Sequence, residues 1–180
     1  MEFADFARRC LTQKGGPEFE GLLLSLDPGH TTGWAVFENY KLVACGQIIA
    51  AGIDHELFQA FNSLFTQYNP VHIVFEDYRI YAWRKSQHVG SELLTTQVIG
   101  AIQTIASMDP TRIIPISKQP ASVAKNFCTD AKLQEWGFWP KGQKHARDAI
   151  RHGCYFLLFG GREKWLKQQR TISKTKKTVG

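Results

Sequence analysis

The segment Leu22–Phe37 reads LLLSLDPGHTTGWAVF and places one acid, Asp27, where an apolar run meets a cluster of turn-forming residues. Leu22–Leu26 predicts a short buried strand, and Trp34–Phe37 predicts a second strand that returns beside it. The Pro-Gly pair after Asp27 favours a tight turn between them. Removing a carboxylate from water is costly unless it is paired, hydrogen-bonded or bound to metal. Asp27 is therefore expected either to accept hydrogen bonds from the turn or to act as a ligand, and the segment alone leaves both interpretations open.

The composition indicates a single domain. With 180 residues, 43% of them apolar, the chain can bury an independent core but is too short for a second full domain. It has neither an apolar stretch long enough for a membrane span nor the apolar segment of a signal peptide in its first twenty residues, so we expect a cytoplasmic protein. Cys10, Cys45, Cys128 and Cys154 lack Cys-x-x-Cys spacing, which predicts reduced thiols and no structural zinc site.

The net charge of +6 is concentrated at the C-terminus. Residues 161–180 carry seven basic side chains and one acid, Glu163, so this tail accounts for the whole excess. A polar tail rich in Lys and Thr is expected to be flexible, and two interpretations remain open. It either stays solvated and aids solubility, or binds phosphate backbones through counterion release, which needs no sequence recognition.

The order of predicted elements favours an α/β fold in which helices cover a mixed sheet. We expect an amphipathic helix and a linker at residues 1–20, the main domain at residues 21–160, and the basic tail at residues 161–180. Beyond the first two strands, the patterns predict strands at Lys41–Ala50, Val71–Glu76 and Arg112–Ile116, and helices at Asp54–Tyr68, Ser91–Ala106, from Ser117 or Pro120 onward, and Lys144–Phe159. The first three strands are expected to form an antiparallel meander, and Thr129–Lys144 is expected to be irregular or mixed.

Four side chains at the ends of these elements suit a metal site. If the first and fourth strands are neighbours, Asp27 and Glu76 project toward one point. His145 and Asp148 are three residues apart and therefore share a face of the last helix. Carboxylates with an imidazole suit Mg²⁺ or Mn²⁺, and a pair of such ions can activate water for phosphodiester hydrolysis.

Each of these residues also has a simpler interpretation. Asp77 competes with Glu76 for the inward position, although Glu76 shares its parity with the inward residues of its strand. His145 and Asp148 lie on a helix rich in basic residues, where a surface histidine and a charge-offsetting acid are common. The four together are more specific than any one of them.

With these residues in this order, the chain resembles the RuvC-type Holliday junction resolvases of the RNase H-like (retroviral integrase) superfamily. The resemblance covers about residues 21–160 and keeps the motif order. Leu26–Ala35 resembles the first motif, Phe75-Glu76 the second acid, Thr96–Ala101 the helix that follows it, and His145–Ala149 the closing helix. It implies an RNase H-like fold with a five-stranded sheet, in which strands four and five run parallel.

The same resemblance implies a homodimeric crossover junction endodeoxyribonuclease of DNA recombination and repair, which resolves four-way junctions by paired nicking. Asp27, Glu76 and Asp148 would be metal-binding catalytic carboxylates, with Asp27 bridging two Mg²⁺ or Mn²⁺ ions. His145 stands where many relatives carry Asp and others His, and it would serve as a ligand or proton acceptor.

The segment Asp77–Ser86 alternates aromatic and basic residues, and in the family this segment enters the junction. Aromatic faces stack on unpaired bases while Arg and Lys hold phosphates, although packing within a loop explains each aromatic equally well. The predicted DNA-binding residues here are Tyr78, Arg79, Tyr81, Trp83, Arg84 and Lys85, with Lys118, Lys125 and Lys144 as further backbone contacts.

Three alternatives remain at this stage. An RNase H-like nuclease could instead act on flaps, forks or RNA–DNA hybrids, and a module of this fold could bind branched DNA without cutting it. A sugar-kinase or actin-like phosphotransferase also carries Asp-x-Gly-x-Thr, but that architecture needs two such domains and this chain holds one.

Overall fold

The computed structural model describes residues 1–14, 18–49, 52–78, 89–109, 111 and 113–160. The strands are β1 (Leu22–Asp27), β2 (Thr31–Glu38), β3 (Lys41–Ile49), β4 (His72–Glu76) and β5 (Ile116–Gln119). The helices are α1 (Phe3–Lys14), α2 (His55–Tyr68), α3 (Val89–Ser107), α4 (Ala121–Phe127), α5 (Asp130–Glu135) and α6 (Lys144–Tyr155), and α6 continues into a π-helical turn, Phe156–Gly160. Within these ranges no helix is long and apolar enough to cross a membrane.

The five strands form one mixed sheet in the order β3-β2-β1-β4-β5. β1 pairs antiparallel with β2, and β2 with β3, which confirms the predicted meander. β4 lies parallel to β1 and β5 lies parallel to β4, as the RNase H-like fold requires. The prediction that the first and fourth strands are neighbours is therefore confirmed.

The two faces of the sheet are covered by different helices. Leu23 and Val74 face the core layer formed with α6, the π-helical turn, α1 and α5. Leu24 and Phe75 face the opposite layer, which α2 and α3 cover. Because side chains alternate along a strand, Asp27 and Glu76 share the parity of the α6 face.

Helix α1 packs into this first core layer. Phe3 is only 1% exposed, and its ring centroid lies 4.9 Å from that of Trp136. Ala7 is fully buried, and the half-buried Phe6, Cys10 and Leu11 pack on the same cluster, as their helical spacing predicts. All four cysteines are free.

The fifth strand departs from its prediction, whereas the segment after α4 agrees with the mixed structure expected there. The strand starts at Ile116 rather than ending there, because Ile73 of β4 donates to the carbonyl of Pro115 and the ladder continues to Gln119. Polar Ser117 is acceptable inside this strand because its hydroxyl bonds His72 at 2.9 Å. The segment predicted as irregular or mixed contains the short helix α5 followed by turns, and α5 begins where the Thr129 side chain accepts a bond from the amide of Lys132.

Candidate active site

The ends of β1 and β4 bring two carboxylates together. The last parallel pair of these strands is Leu26 with Phe75, so Asp27 and Glu76 follow it as neighbours. Helix α6 crosses the same face, and it is fixed there by the Ser25 hydroxyl, which donates to the carbonyl of Ala149 at 2.6 Å. Asp148 of α6 therefore lies above the strand ends.

Asp27 is hydrogen-bonded to helix α6 and not to the turn that follows β1. Its Oδ2 lies 2.9 Å from Nδ1 of His145, while the turn is closed by Thr32, whose hydroxyl donates to the carbonyl of Gly29. The interpretation of Asp27 as the cap of its own turn is therefore wrong. Burial raises the pKa of Asp27, the hydrogen bond with His145 opposes the rise, and the charges of Glu76 and Asp148 add to it.

His145 is held by two strands. Its amide donates to Oε1 of Gln47 in β3 at 3.0 Å, which satisfies one of the free N–H groups at the start of α6. The hydrogen bond with Asp27 raises the pKa of the His145 imidazole, against the opposing effect of partial burial. The His145 side chain is 40% exposed at the surface, and its ring is hydrogen-bonded to Asp27.

Lys125 of α4 lies between two of the acids. Its Nζ is 3.5 Å from Oε2 of Glu76 and 3.4 Å from Oδ2 of Asp148. Partial burial opposes the charge of the ammonium, but Glu76, Asp148 and Asp27 together raise the pKa of Lys125. The sequence predicts Lys125 as a contact to a DNA backbone, whereas the structure places it among the carboxylates.

Glu76 has a second partner that the sequence analysis missed, His152. This histidine is completely buried, with Nε2 3.3 Å from Oε2 of Glu76 and Nδ1 3.2 Å from Oε1 of Gln119. Burial opposes ionisation of Glu76, but His152 and Lys125 outweigh it and lower the pKa of the carboxyl. His152 follows Asp148 by four residues, so helical spacing alone could have placed it on the same face.

Asp148 is fixed by a guanidinium that the sequence analysis also missed. Arg151 pairs with Asp148 and with Asp130 of α5, and its Nε donates to the carbonyl of Cys128 at 3.0 Å. Only 6% of Asp148 and 9% of Arg151 are exposed. Asp148 does offset basic side chains: one of its oxygens pairs with Arg151, and the other lies 3.4 Å from Nζ of Lys125.

The donor set suits a hard divalent cation, since three carboxylates and one imidazole converge at this end of the sheet. The positive charges next to these carboxylates are those of the side chains of Lys125 and Arg151. Over the described residues, no three His, Cys, Asp or Glu side chains are arranged as a metal-binding group. The ammonium of Lys125 lies between Glu76 and Asp148.

The predicted DNA-binding residues lie at different distances from this cluster. Tyr78 is half-buried just beyond β4, and Lys144 is exposed beside His145. Lys118 lies on the other face of the sheet, its Nζ 5.7 Å from the centroid of the Phe75 ring. The predictions for Arg79, Tyr81, Trp83, Arg84 and Lys85, and for the tail 161–180, lie outside the described residues.

The position of His152 leads to a prediction on stability. Replacing it in His152→Phe keeps a ring of similar size but leaves Glu76 and Gln119 without a buried partner. We expect the free energy of unfolding to fall by about 2 kcal/mol, the usual cost of an unpaired buried polar group. Urea denaturation of the variant measures this. His55→Phe, at an exposed position on α2, is the control, and equal losses in the two variants would contradict the assigned role.

Solved structures with the same fold were found by comparison of the coordinates. RuvC of T. thermophilus in complex with a Holliday junction substrate aligns with a TM-score of 0.61 and 11% identity, covering 78% of this chain and 95% of that one. A second Thermus thermophilus RuvC structure gives 0.58 and 12%, with 78% and 97% covered. The yeast mitochondrial Holliday junction resolvase Ydc2 gives 0.55 and 13%, with 95% and 90% covered.

At these identities the likeness establishes the fold. Neither the family models nor the curated protein sequences give a match to this chain. The five-stranded sheet, with three antiparallel strands followed by two parallel ones, is that of the RuvC-like structures, and the chain has an RNase H-like fold.

Proposed function

We propose that this chain is a divalent-metal-dependent endonuclease that cuts branched DNA, with the four-way junction as its substrate. The observation that carries the proposal is the convergence of Asp27, Glu76 and Asp148 from β1, β4 and α6. Burial is the main cause of the raised pKa of Asp27, and the charges of Glu76 and Asp148 add to it, so a cation at this point would offset an unfavourable concentration of negative charge. The structures of similar fold include one solved in complex with a Holliday junction substrate.

Asp27, Glu76, Asp148 and His145 are the residues that would hold the metal. Bound Mg²⁺ or Mn²⁺ supplies a nucleophilic water at neutral pH and stabilises the charge on the leaving oxygen. His145 keeps Asp27 oriented through its Nδ1, and His152 keeps Glu76 oriented through its Nε2. Arg151 fixes Asp148, so each carboxylate has one partner that sets its direction. Such preorganisation limits the rearrangement needed in the transition state.

The DNA contact is proposed to come from the surface next to this cluster. Lys144 is exposed at the start of α6, directly beside His145. The aromatic and basic residues 78–85 follow Glu76 within a few positions of the sequence. We extend the proposal to a homodimer, because two equivalent cuts across a four-way junction require two sites.

The proposal is tested with four substrates of matched sequence: a four-way junction, a flap, a fork and an RNA–DNA hybrid. Each is incubated with the full chain and Mg²⁺, Mn²⁺ or EDTA, and products are resolved on denaturing gels. We expect paired nicks in the junction, dependence on the divalent ion, and at least about tenfold slower cleavage of the other substrates, a difference of about 1.4 kcal/mol. Preferred cleavage of the flap or hybrid would reassign the substrate, and metal-independent junction binding without any cleavage would favour a binding module.

A further inference from the structure

We propose that Lys125 is an internal counter-cation, which holds Glu76 and Asp148 together when no divalent ion is bound and is displaced when one binds. The inference rests on the proposed function only in taking the three carboxylates as the metal-binding groups. Its first support is position: the ammonium is 3.5 Å from one carboxylate and 3.4 Å from the other. Within the described part of the chain, no other lysine forms an ion pair with either acid.

The second support is the balance of charge. Arg151 pairs with Oδ1 of Asp148, and His145 binds Asp27. Lys125 faces the other oxygen of Asp148, Oδ2, and also Oε2 of Glu76, which it shares with His152. Removing the ammonium would leave two partly buried carboxylates facing one another. Like charges close to one another repel, and the repulsion is screened less at buried positions than at exposed ones.

The third support is that the Lys125 side chain can move away from the two acids. Its side chain is 42% exposed, whereas those of Asp148 and Glu76 are 8% and 21% exposed. The acids are fixed by buried partners, while the lysine reaches them from α4 along the surface on a flexible stem. A small displacement of Nζ toward solvent would free the oxygens without moving the backbone. The displaced ammonium would remain next to the site, where a phosphate group of a substrate would meet it.

The inference predicts opposite effects on the metal-free fold and on metal affinity. Lys125→Met removes the charge and keeps most of the apolar stem. With EDTA we expect the variant to melt at a lower temperature than the wild type, because Glu76 and Asp148 lose the ammonium group that they share. We expect the variant to bind Mn²⁺ at least about tenfold more tightly than the wild type. The ammonium of Lys125, which would repel the ion and compete with it for the carboxylates, is absent from the variant.

The measurements are thermal unfolding in EDTA and calorimetric titration with MnCl₂, both on the full chain and without DNA. Lys41→Met is the matched control, because it removes the same charge from an exposed residue at the far end of the β2–β3 pair. Lys125→Gln provides a second uncharged side chain that still reaches Glu76, should the methionine variant fold poorly. The Glu76→Gln/Lys125→Met double variant should recover part of the lost melting temperature, since one of the two opposed acids is then neutral.

Tighter Mn²⁺ binding in both Lys125 variants, with no change in Lys41→Met, supports the inference whether or not the chain cuts junctions. Equal or weaker binding in the Lys125 variants overturns it, since the lysine would then assist the ion or have no part in its binding. A wild type that binds no Mn²⁺ overturns it as well. These two measurements do not involve DNA cleavage. A chain that binds Mn²⁺ but does not cut the four-way junction would therefore be identified separately, by the gel assay.

Discussion

Asp27→Asn is expected to abolish metal-dependent cleavage of a four-way junction, lowering the rate at least about a thousandfold, which corresponds to about 4 kcal/mol of transition-state stabilisation. The amide keeps the shape of the side chain but removes the charge that would hold the ion. Single-turnover cleavage with Mg²⁺ measures the loss. Because burial already raises the pKa of Asp27, we expect the neutral variant to fold with unchanged or higher stability.

Two controls make this prediction specific. Glu38→Gln removes a carboxylate from the exposed end of β2, opposite to the site, and should cleave normally. Glu76→Gln and Asp77→Asn, compared side by side, test which acid of this pair takes part, and we expect a large loss only in Glu76→Gln. Full activity in Asp27→Asn with an intact fold would exclude the proposed role of this carboxylate.

Gly33→Ala is expected to disrupt the packing of α6 on the sheet. A methyl group at this position would stand 1.9 Å from the carbonyl oxygen of His145 and 2.7 Å from the amide nitrogen of Ala146. Both are backbone atoms, so no side-chain rotation can relieve the clash. We expect a loss of about 3 kcal/mol in the free energy of unfolding, at the upper end of the usual cost of overpacking. This corresponds to a melting temperature about 6 to 12 °C lower.

The matched control for this variant is Gly100→Ala, in α3. A methyl group there meets no atom within 4 Å, and alanine is the better helix former, so its melting temperature should stay the same or rise. Because α6 carries both His145 and Asp148, Gly33→Ala should also weaken Mn²⁺ binding. A stable Gly33→Ala variant would mean that α6 does not lie as close to β2 as described.

The positions of the two strand-end acids could be predicted from sequence because each follows an apolar run. Such a run identifies a buried strand, and alternation then selects Glu76 over Asp77 for the face that holds Asp27. The antiparallel meander was predictable from the same patterns, whereas the parallel direction of the later strands was expected only from the resemblance to the RuvC-type resolvases. The fifth strand was misplaced because Ser117 and Gln119 look unsuited to a sheet until His72 and His152 are known as their partners.

The partners of the acids were harder to predict. Lys125 and Arg151 are basic residues on helices, and nothing local distinguishes them from solvated charges. Their roles depend on how α4 and α6 cross the sheet, which the sequence does not specify directly. His152 is different, since its four-residue spacing from Asp148 is a local signal. Histidine is common on helix surfaces, however, and only its complete burial shows that it has a structural partner.

The parallel pairing of β1 with β4 links the folding of this protein to the assembly of its site. A shift of one residue between these strands would turn Phe75 or Asp77 toward α6 and send Glu76 into the apolar layer beneath α2 and α3. A chain folded in that register would bury an unpaired carboxylate and expose or misplace an aromatic ring, so it would be strongly disfavoured. The charges that form the site therefore also act against misfolding, because only one alignment of the two strands leaves every acid with a partner.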